Sequence, residues 1–157
     1  MSQVRLIAIA CTGSLLTACA EPELIGVWES VDEGEGAYYF GHMAYLEDGR
    51  KCTVLFEYVN SEVETTAFIN QWSRDGDVVT LAYGPSNSSI PEGYTSRSRI
   101  QELTESRYVY EIIDSAYAEG EVGREVRLTG VDPYRVCGLA YEILGMPEGS
   151  GSDKDRT

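Results

Sequence analysis

The sequence has few of the residues that carry metal or nucleophilic chemistry. His42 is its single histidine, and none of its four cysteines stands in a Cys-x-x-Cys pair. A metal site needs several such ligands, so we expect no metal and no cofactor. His42 also has no Ser-x-Gly or cysteine companion of the kind that nucleophilic catalysis uses, so we expect no catalytic residue and a protein that is not an enzyme.

Basic residues are also scarce. The chain has 12 Lys and Arg against 26 Asp and Glu, and its net charge is −14. A surface of this sign repels the phosphates of nucleic acid and anionic lipid, so nucleic acid is excluded as a partner. The charge favours solubility, and it would also suit docking to a basic protein.

No apolar run is long enough to cross a membrane, which takes about 20 residues. The chain begins with a short segment whose one charged residue is Arg5, and the apolar residues 6–10 and a run of small residues follow. A basic start, a short apolar run and a small-residue exit are typical of a secretory signal peptide.

The segment Leu16-Thr17-Ala18-Cys19 resembles the lipobox of bacterial lipoproteins. The resemblance implies that residues 1–18 are cleaved, that Cys19 carries diacylglycerol, and that its new amine is acylated. Several acyl chains make a stable membrane anchor. Residues 19–23 then form a lipidated tether, and the absence of aspartate at Ala20 implies the outer membrane, facing the periplasm.

Cys52 and Cys137 remain for the folded part of the mature chain. Two thiols in an oxidising compartment predict one disulfide. Two separate buried cysteines are the alternative.

Short β-type segments separated by turn residues fill the rest of the chain, which is long enough for one domain. They predict strands at residues 24–31, 37–46, 51–59, 63–72, 78–83, 94–103, 107–114 and 124–131, and a helical turn or short helix within 134–144. The pairs Asp48-Gly49 and Asp75-Gly76 predict tight hairpin turns, because glycine tolerates a positive φ. The domain spans residues 24–145, and the polar tail 146–157 is expected to be disordered.

Eight short antiparallel strands in one small domain must protect their edges. Closure into an all-β, eight-stranded up-and-down barrel does so and leaves room for side chains or one small ligand. An antiparallel β-sandwich is the alternative.

Alternation along the strands predicts which side chains point into the barrel. Charged residues such as Glu57, Glu111, Glu125 and Arg127 are expected to face outward. Their neighbours then face inward, with residues 84–93 as a flap at the mouth. An inward Cys52 could reach Cys137 only near an open barrel end. The predicted ligand-lining residues are Val54, Phe56, Tyr58, Ile69, Tyr108, Tyr110 and Leu128.

The first strand, Leu24-Ile25-Gly26-Val27-Trp28, resembles the opening of lipocalins and of lipocalin-like domains in small secreted bacterial proteins. The resemblance implies an eight-stranded barrel in which Gly26 and Trp28 belong to the closed end and a cavity lies at the other end. It also implies an arginine over the tryptophan, for which Arg127 is the candidate. The leading hypothesis is therefore a membrane-anchored envelope lipoprotein that holds a small apolar ligand without catalysis. The alternative is a protein-interaction module, such as an acidic inhibitor or an accessory subunit.

Overall fold

Eight strands and one helix make up the fold of the computed structural model, which describes residues 23–34, 37–59 and 61–147. The predicted signal peptide, the lipidated Cys19, the tether up to residue 22 and residues 148–157 lie outside this described part. The elements are β1 Gly26–Gly34, β2 Ala37–Tyr45, β3 Arg50–Val59, β4 Glu62–Asp75, β5 Val78–Ala82, β6 Thr95–Leu103, β7 Arg107–Asp114, β8 Val122–Leu128 and α1 Pro133–Ile143.

The strands form a closed barrel in chain order, with every neighbouring pair antiparallel and β8 paired to β1. The predicted up-and-down barrel is therefore confirmed, and the alternative of an open sandwich is wrong. Two of its hairpins depend on the predicted Asp-Gly pairs, in which Gly49 has φ 84° and Gly76 has φ 59°. These are conformations that glycine adopts without steric cost.

The predicted helical segment after the last strand is α1, which packs against the outer face of β2, β3 and β4. Asp132 caps its N-terminus by accepting a hydrogen bond from the Tyr134 backbone N–H at 2.9 Å, and Pro133 occupies the first turn. Its buried side chains face the barrel wall. Within the described ranges, no helix is both long and apolar enough to cross a membrane.

The predicted disulfide is present between Cys52 on β3 and Cys137 on α1, which are 85 positions apart in the chain. It joins the helix to the outside of the barrel wall. Around it lies an apolar cluster of buried residues from both sides of this contact, which are Val27, Ala44, Leu46, Cys52, Val54, Ala67, Ile69, Val136, Cys137, Ala140 and Tyr141.

The inward orientation predicted for β3 and β4 is wrong. The side chains of Cys52, Val54 and Phe56 belong to the cluster under α1, and so do those of Ala67 and Ile69. The residues between them, such as Lys51, Thr53, Phe68 and Asn70, line the barrel interior instead. The error has a physical cause: α1 buries the outer face of these strands, so apolar side chains there no longer indicate the inside.

The orientation predicted for β8 is also wrong. Glu125 is buried inside the barrel, whereas Val126 is 58% exposed on the outer face and Leu128 packs beside the cluster under α1. On β7 the prediction is correct, because Tyr108 is buried opposite Glu125 in the register and Tyr110 lines the interior. The rule that charged residues point outward fails on β8 because this barrel has a partly polar interior.

The predicted flap at residues 84–93 runs along β4 and is hydrogen-bonded to it. Ile69 N–H donates to the Pro85 carbonyl at 3.0 Å. The Asn87 side chain accepts from Ala67 N–H at 2.8 Å and donates to the Thr65 carbonyl at 2.9 Å. Since β5 is much shorter than β4, this segment supplies hydrogen-bond partners to the part of β4 that extends beyond it.

Candidate functional site

One end of the barrel is filled by an apolar and aromatic cluster centred on Trp28, which is completely buried. Its indole N–H donates to the Leu24 carbonyl at 2.7 Å, so the single polar atom of the ring is satisfied. The cluster closes this end of the interior, and its members are Leu24, Trp28, Met43, Tyr45, Val79 and Tyr108.

Arg127 covers the same tryptophan, as the resemblance implied. Its guanidinium carbon lies 4.3 Å from the centroid of the Trp28 ring, the geometry of a cation–π contact. The guanidinium also donates to the Ile25 carbonyl at 2.6 Å and to the Glu23 carbonyl. Burial lowers the pKa of Arg127, and nearby Glu105 and Glu23 oppose that change. Arg127 therefore ties the end of β8 to the segment that enters β1.

Gly26 leaves the space that this arrangement needs. It has φ 133°, and a Cβ atom there would lie 2.5 Å from the Arg127 Nη1 atom. A side chain at this position would both strain the backbone and push the guanidinium away. The structure thus places Gly26, Trp28 and Arg127 together at the closed end.

Beyond this cluster the interior contains a cavity of about 170 Å³. An apolar cavity of about 150 Å³ is large enough to take up benzene, so this space suits a molecule of similar size. Side chains from opposite walls of the barrel line it, and its residues are Ser30, Met43, Lys51, Thr53, Leu55, Phe68, Asn70, Leu81, Tyr83 and Tyr110.

The lining is more polar than the sequence indicated. All the buried polar and charged side chains of the described residues stand at inward positions of the strands. They are Lys51, Thr53, Asn70, Ser96, Ser98 and Glu125. The interior therefore offers hydrogen-bonding groups as well as apolar surface, which is the composition of most small-molecule sites.

Lys51 is the charged residue of the cavity lining and is only 7% exposed. Its Nζ atom lies 4.9 Å from the centroid of the Tyr45 ring. None of the hydrogen bonds and ion pairs found among the described residues involves its ammonium group. Burial lowers the pKa of Lys51, and the charge of Glu125 acts in the opposite direction.

Glu125 is the other buried charged residue of the interior and is 1% exposed. Neither of its carboxyl oxygens has a hydrogen-bond partner among the described residues. Burial raises the pKa of Glu125, whereas Lys51 and then the Tyr110 hydroxyl favour its ionised form. Because an unpaired buried carboxylate is costly, the protonated form is favoured to a higher pH than in water.

Tyrosine hydroxyls surround this carboxyl group. Burial raises the pKa of Tyr45, and neighbouring Tyr108 and Glu125 raise it further. Burial also raises the pKa of Tyr108, with Glu125 as the next cause. The rings of Tyr108 and Tyr110 lie 4.7 Å apart, and a Cβ at Gly123 would lie 2.2 Å from the Tyr110 ring. Gly123 thus leaves the room that Tyr110 occupies beside Glu125.

The structure separates the residues predicted to line the cavity. Tyr110 borders it, and Tyr108 lies in the cluster at the closed end. The outer face holds the remaining five, among which Tyr58 is 50% exposed and the others pack in or beside the cluster under α1; these others are Val54, Phe56, Ile69 and Leu128.

Sequence reasoning missed Lys51, Thr53 and Asn70. The signal that could have found Lys51 is the disulfide. A cysteine bonded to a helix on the outside of the barrel requires its strand neighbours to face inward. Cys52 therefore reaches Cys137 from the outer face of β3, and the inward orientation predicted for it is wrong.

No group of three metal-binding side chains occurs within the described part of the chain. His42 lies 3.1 Å from a Glu29 carboxyl oxygen, and the register places both on the outer face, since His42 pairs with Val54. Neither residue borders the cavity.

Comparison of the sequence with protein-family models and with curated proteins finds no match. The fold and the cavity are thus what define the class of this protein: a closed eight-stranded antiparallel β-barrel with a small, partly polar interior.

Proposed function

We propose that this protein is a lipid-anchored protein of the cell envelope that holds a small molecule inside its barrel. The observation that carries the proposal is the cavity of about 170 Å³, which combines apolar walls with buried polar groups. Cavities of this composition bind by apolar burial and take their specificity from a few polar contacts.

The anchoring half of the proposal is supported by Leu16-Thr17-Ala18-Cys19, which resembles a lipobox. Glu23 lies at the closed end, where its carbonyl accepts from Arg127. Four residues span at most about 14 Å, so a lipidated Cys19 would hold the closed end near the membrane surface. The opposite end would then face the periplasm, from which a small molecule could enter.

We further propose that the protein binds without catalysis. Lys51 and Glu125 are the buried charged groups of the interior, and no hydrogen bond joins either of them to a serine of the described residues. Holding a molecule requires only the cavity and its few polar contacts.

The experiment is native mass spectrometry of the protein purified from its own envelope, followed by titration of the delipidated chain with single-ring probes. Benzoate, benzyl alcohol and toluene cover charged, polar and apolar forms of one size. We expect a non-covalent species of low mass or a probe-dependent rise in Tm. A bare protein mass together with no response to any of the three probes would contradict ligand binding.

Two variants on one strand show where a probe binds. Ser30→Phe places a ring in the cavity, whereas Glu29→Phe places the same ring on the outer face. Binding should be lost in Ser30→Phe and kept in Glu29→Phe. Equal loss in both variants would argue against the interior as the site.

The anchoring has its own test. Intact-mass analysis of the membrane fraction should show a chain that begins at Cys19 with attached acyl groups, and Cys19→Ser should release the protein from the membrane. A chain that keeps its first 18 residues and carries no lipid would contradict this half of the proposal.

The second candidate function, docking to a basic envelope protein, is favoured by the net charge of −14. Such binding would weaken steeply with salt, because it depends on long-range charge complementarity. A partner captured at low salt and released at high salt would support it.

A further inference from the structure

We propose that the ligand of this barrel is a small organic acid, in which one carboxylate binds the ammonium group of Lys51 and a compact apolar body fills the rest of the cavity. The inference depends on the proposed function, because it names the class of molecule that the cavity holds.

The position of Lys51 is fixed from the other side of its strand. The disulfide places Cys52 under α1, so alternation turns Lys51 into the barrel. There it is 93% removed from solvent and borders the cavity. An ammonium group carries three donors, and within the described part of the chain its recorded side-chain contact is the face of Tyr45, at 4.9 Å. A buried cation with unused donors is the complement of an anionic group.

The remaining lining fits the other parts of such a molecule. Met43, Leu55, Phe68 and Leu81 supply the apolar wall. Asn70 adds an amide whose oxygen already accepts from Gly84 N–H at 3.3 Å, which leaves its NH₂ group to donate. Together with the ammonium of Lys51, this gives the cavity an excess of donors over acceptors.

Glu125 does not oppose a bound carboxylate at the cavity surface. Both of its oxygens are shielded from any open space, and it is absent from the residues that line the cavity. Burial also favours its protonated form, so Lys51 is the charged group of the cavity lining. A cationic ligand is disfavoured, because a molecule in the cavity contacts Lys51 and not Glu125.

The test compares benzoate with toluene, which has nearly the same shape and no charge, by calorimetric titration at pH 7. The chain used is the mature protein without lipid, in wild-type form and as Lys51→Met. We expect wild type to prefer benzoate, and Lys51→Met to bind benzoate at least about 30-fold more weakly. The affinity for toluene should stay unchanged or increase. Thr53→Val is the control, because Thr53 lines the same cavity and the substitution leaves the charge unchanged. It should alter the affinity for benzoate less than about threefold.

Three other results of the titrations would contradict the proposal or a part of it. Toluene bound as tightly as benzoate in wild type, with no effect of Lys51→Met, would overturn the organic acid and leave ligand binding intact. Failure of both probes would overturn the organic acid, and together with a bare protein mass and no response to benzyl alcohol it would also contradict the proposed function. Acetate bound as tightly as benzoate would show a site for the bare carboxylate and overturn the apolar part of the inference.

A second variant keeps the test valid if Lys51→Met is unstable. Lys51→Met combined with Glu125→Gln removes both buried titratable groups, so neither is left without the other. It should show the same loss of benzoate and the same retention of toluene. Recovery of benzoate binding in this double variant would overturn the role of Lys51.

Discussion

The guanidinium of Arg127 lies over the indole of Trp28, with 4.3 Å between the guanidinium carbon and the ring centroid. The two residues stand opposite each other in the register of β8 and β1, the pair that closes the barrel. Arg127 also donates to the carbonyls of Ile25 and Glu23, which lead into β1. One side chain thus connects the last strand, the first strand and the incoming chain.

Replacing Arg127 with methionine should therefore destabilise the barrel. The change removes the cation–π contact and leaves two carbonyls without their donors. We expect the free energy of unfolding to fall by about 2–4 kcal/mol. Urea unfolding followed by tryptophan fluorescence measures it. Arg124→Met, at an exposed position of the same strand, is the control and should change stability by less than about 0.5 kcal/mol. Equal effects of the two variants would contradict the role given to Arg127.

Gly26→Ala tests the space beneath that guanidinium. It introduces a Cβ 2.5 Å from the Arg127 Nη1 atom at φ 133°. Gly130→Ala is the matched control, because Gly130 has φ 77° and nothing within 4 Å of its Cβ position. Backbone strain alone should cost about 1–3 kcal/mol in each. Because the two positions differ in φ, the excess loss in Gly26→Ala over Gly130→Ala contains a difference in backbone strain as well as the clash. The clash is the part of the excess that disappears when Arg127 is already methionine. An excess that is the same in both backgrounds would place the conflict elsewhere.

The architecture was predictable because its signals are local. Asp48-Gly49 and Asp75-Gly76 specify tight turns whatever lies around them, and the β-type segments between such turns leave few alternatives to eight strands. The disulfide followed from the small number of thiols. Each of these conclusions depends on neighbouring residues or on a count, and none depends on the direction in which a strand faces.

The candidate site was not predictable because strand direction depends on distant parts of the chain. Residues 51–54 are all buried, two of them inside the barrel and two under α1, so the alternation of polarity there indicates the wrong face as the inner one. Glu125 has the sequence context of an ordinary outward acid. Only closure of the barrel shows that it lies opposite Tyr108 on the inner face.

Removal of the disulfide should lower the free energy of unfolding and leave the fold in place. The bond between Cys52 and Cys137 links positions 85 residues apart, and a loop of that length stabilises the folded state by about 4–5 kcal/mol in the chain-entropy model. The variant Cys52→Ala, Cys137→Ala should therefore lose up to about that amount in urea unfolding.

Hydrogen exchange separates this effect from detachment of the helix. The apolar contacts of Val136, Ala140 and Tyr141 remain in the double variant, so the amides of α1 should still be protected, although for a shorter time. Complete loss of protection in α1 alone would show that the disulfide, and not the apolar cluster, holds the helix on the barrel. A wild-type mass with both thiols reduced would contradict the bond itself.

Glu125 should make stability depend on pH. Burial raises its pKa in the folded state, so the folded chain keeps this proton at a pH where the unfolded chain, with a pKa of about 4.3, has released it. Across that window the folded state binds more protons than the unfolded state. The contribution of Glu125 to the free energy of unfolding is therefore largest below about pH 4. It is lost as the pH rises through the pKa that Glu125 has in the folded state.

Glu125→Gln should abolish this contribution, because the amide carries no titrating proton. The difference in unfolding free energy between the variant and wild type should increase from pH 4 to pH 7 by about 1.4 kcal/mol for each unit by which burial raises the pKa of Glu125. Urea unfolding at intervals across this range measures the slope. Glu119→Gln, at an exposed position, controls for removal of one negative charge and should give a much flatter difference. A constant difference would show that the carboxyl group titrates with the same pKa in the folded and unfolded states, and would contradict the raised pKa assigned to it inside the barrel.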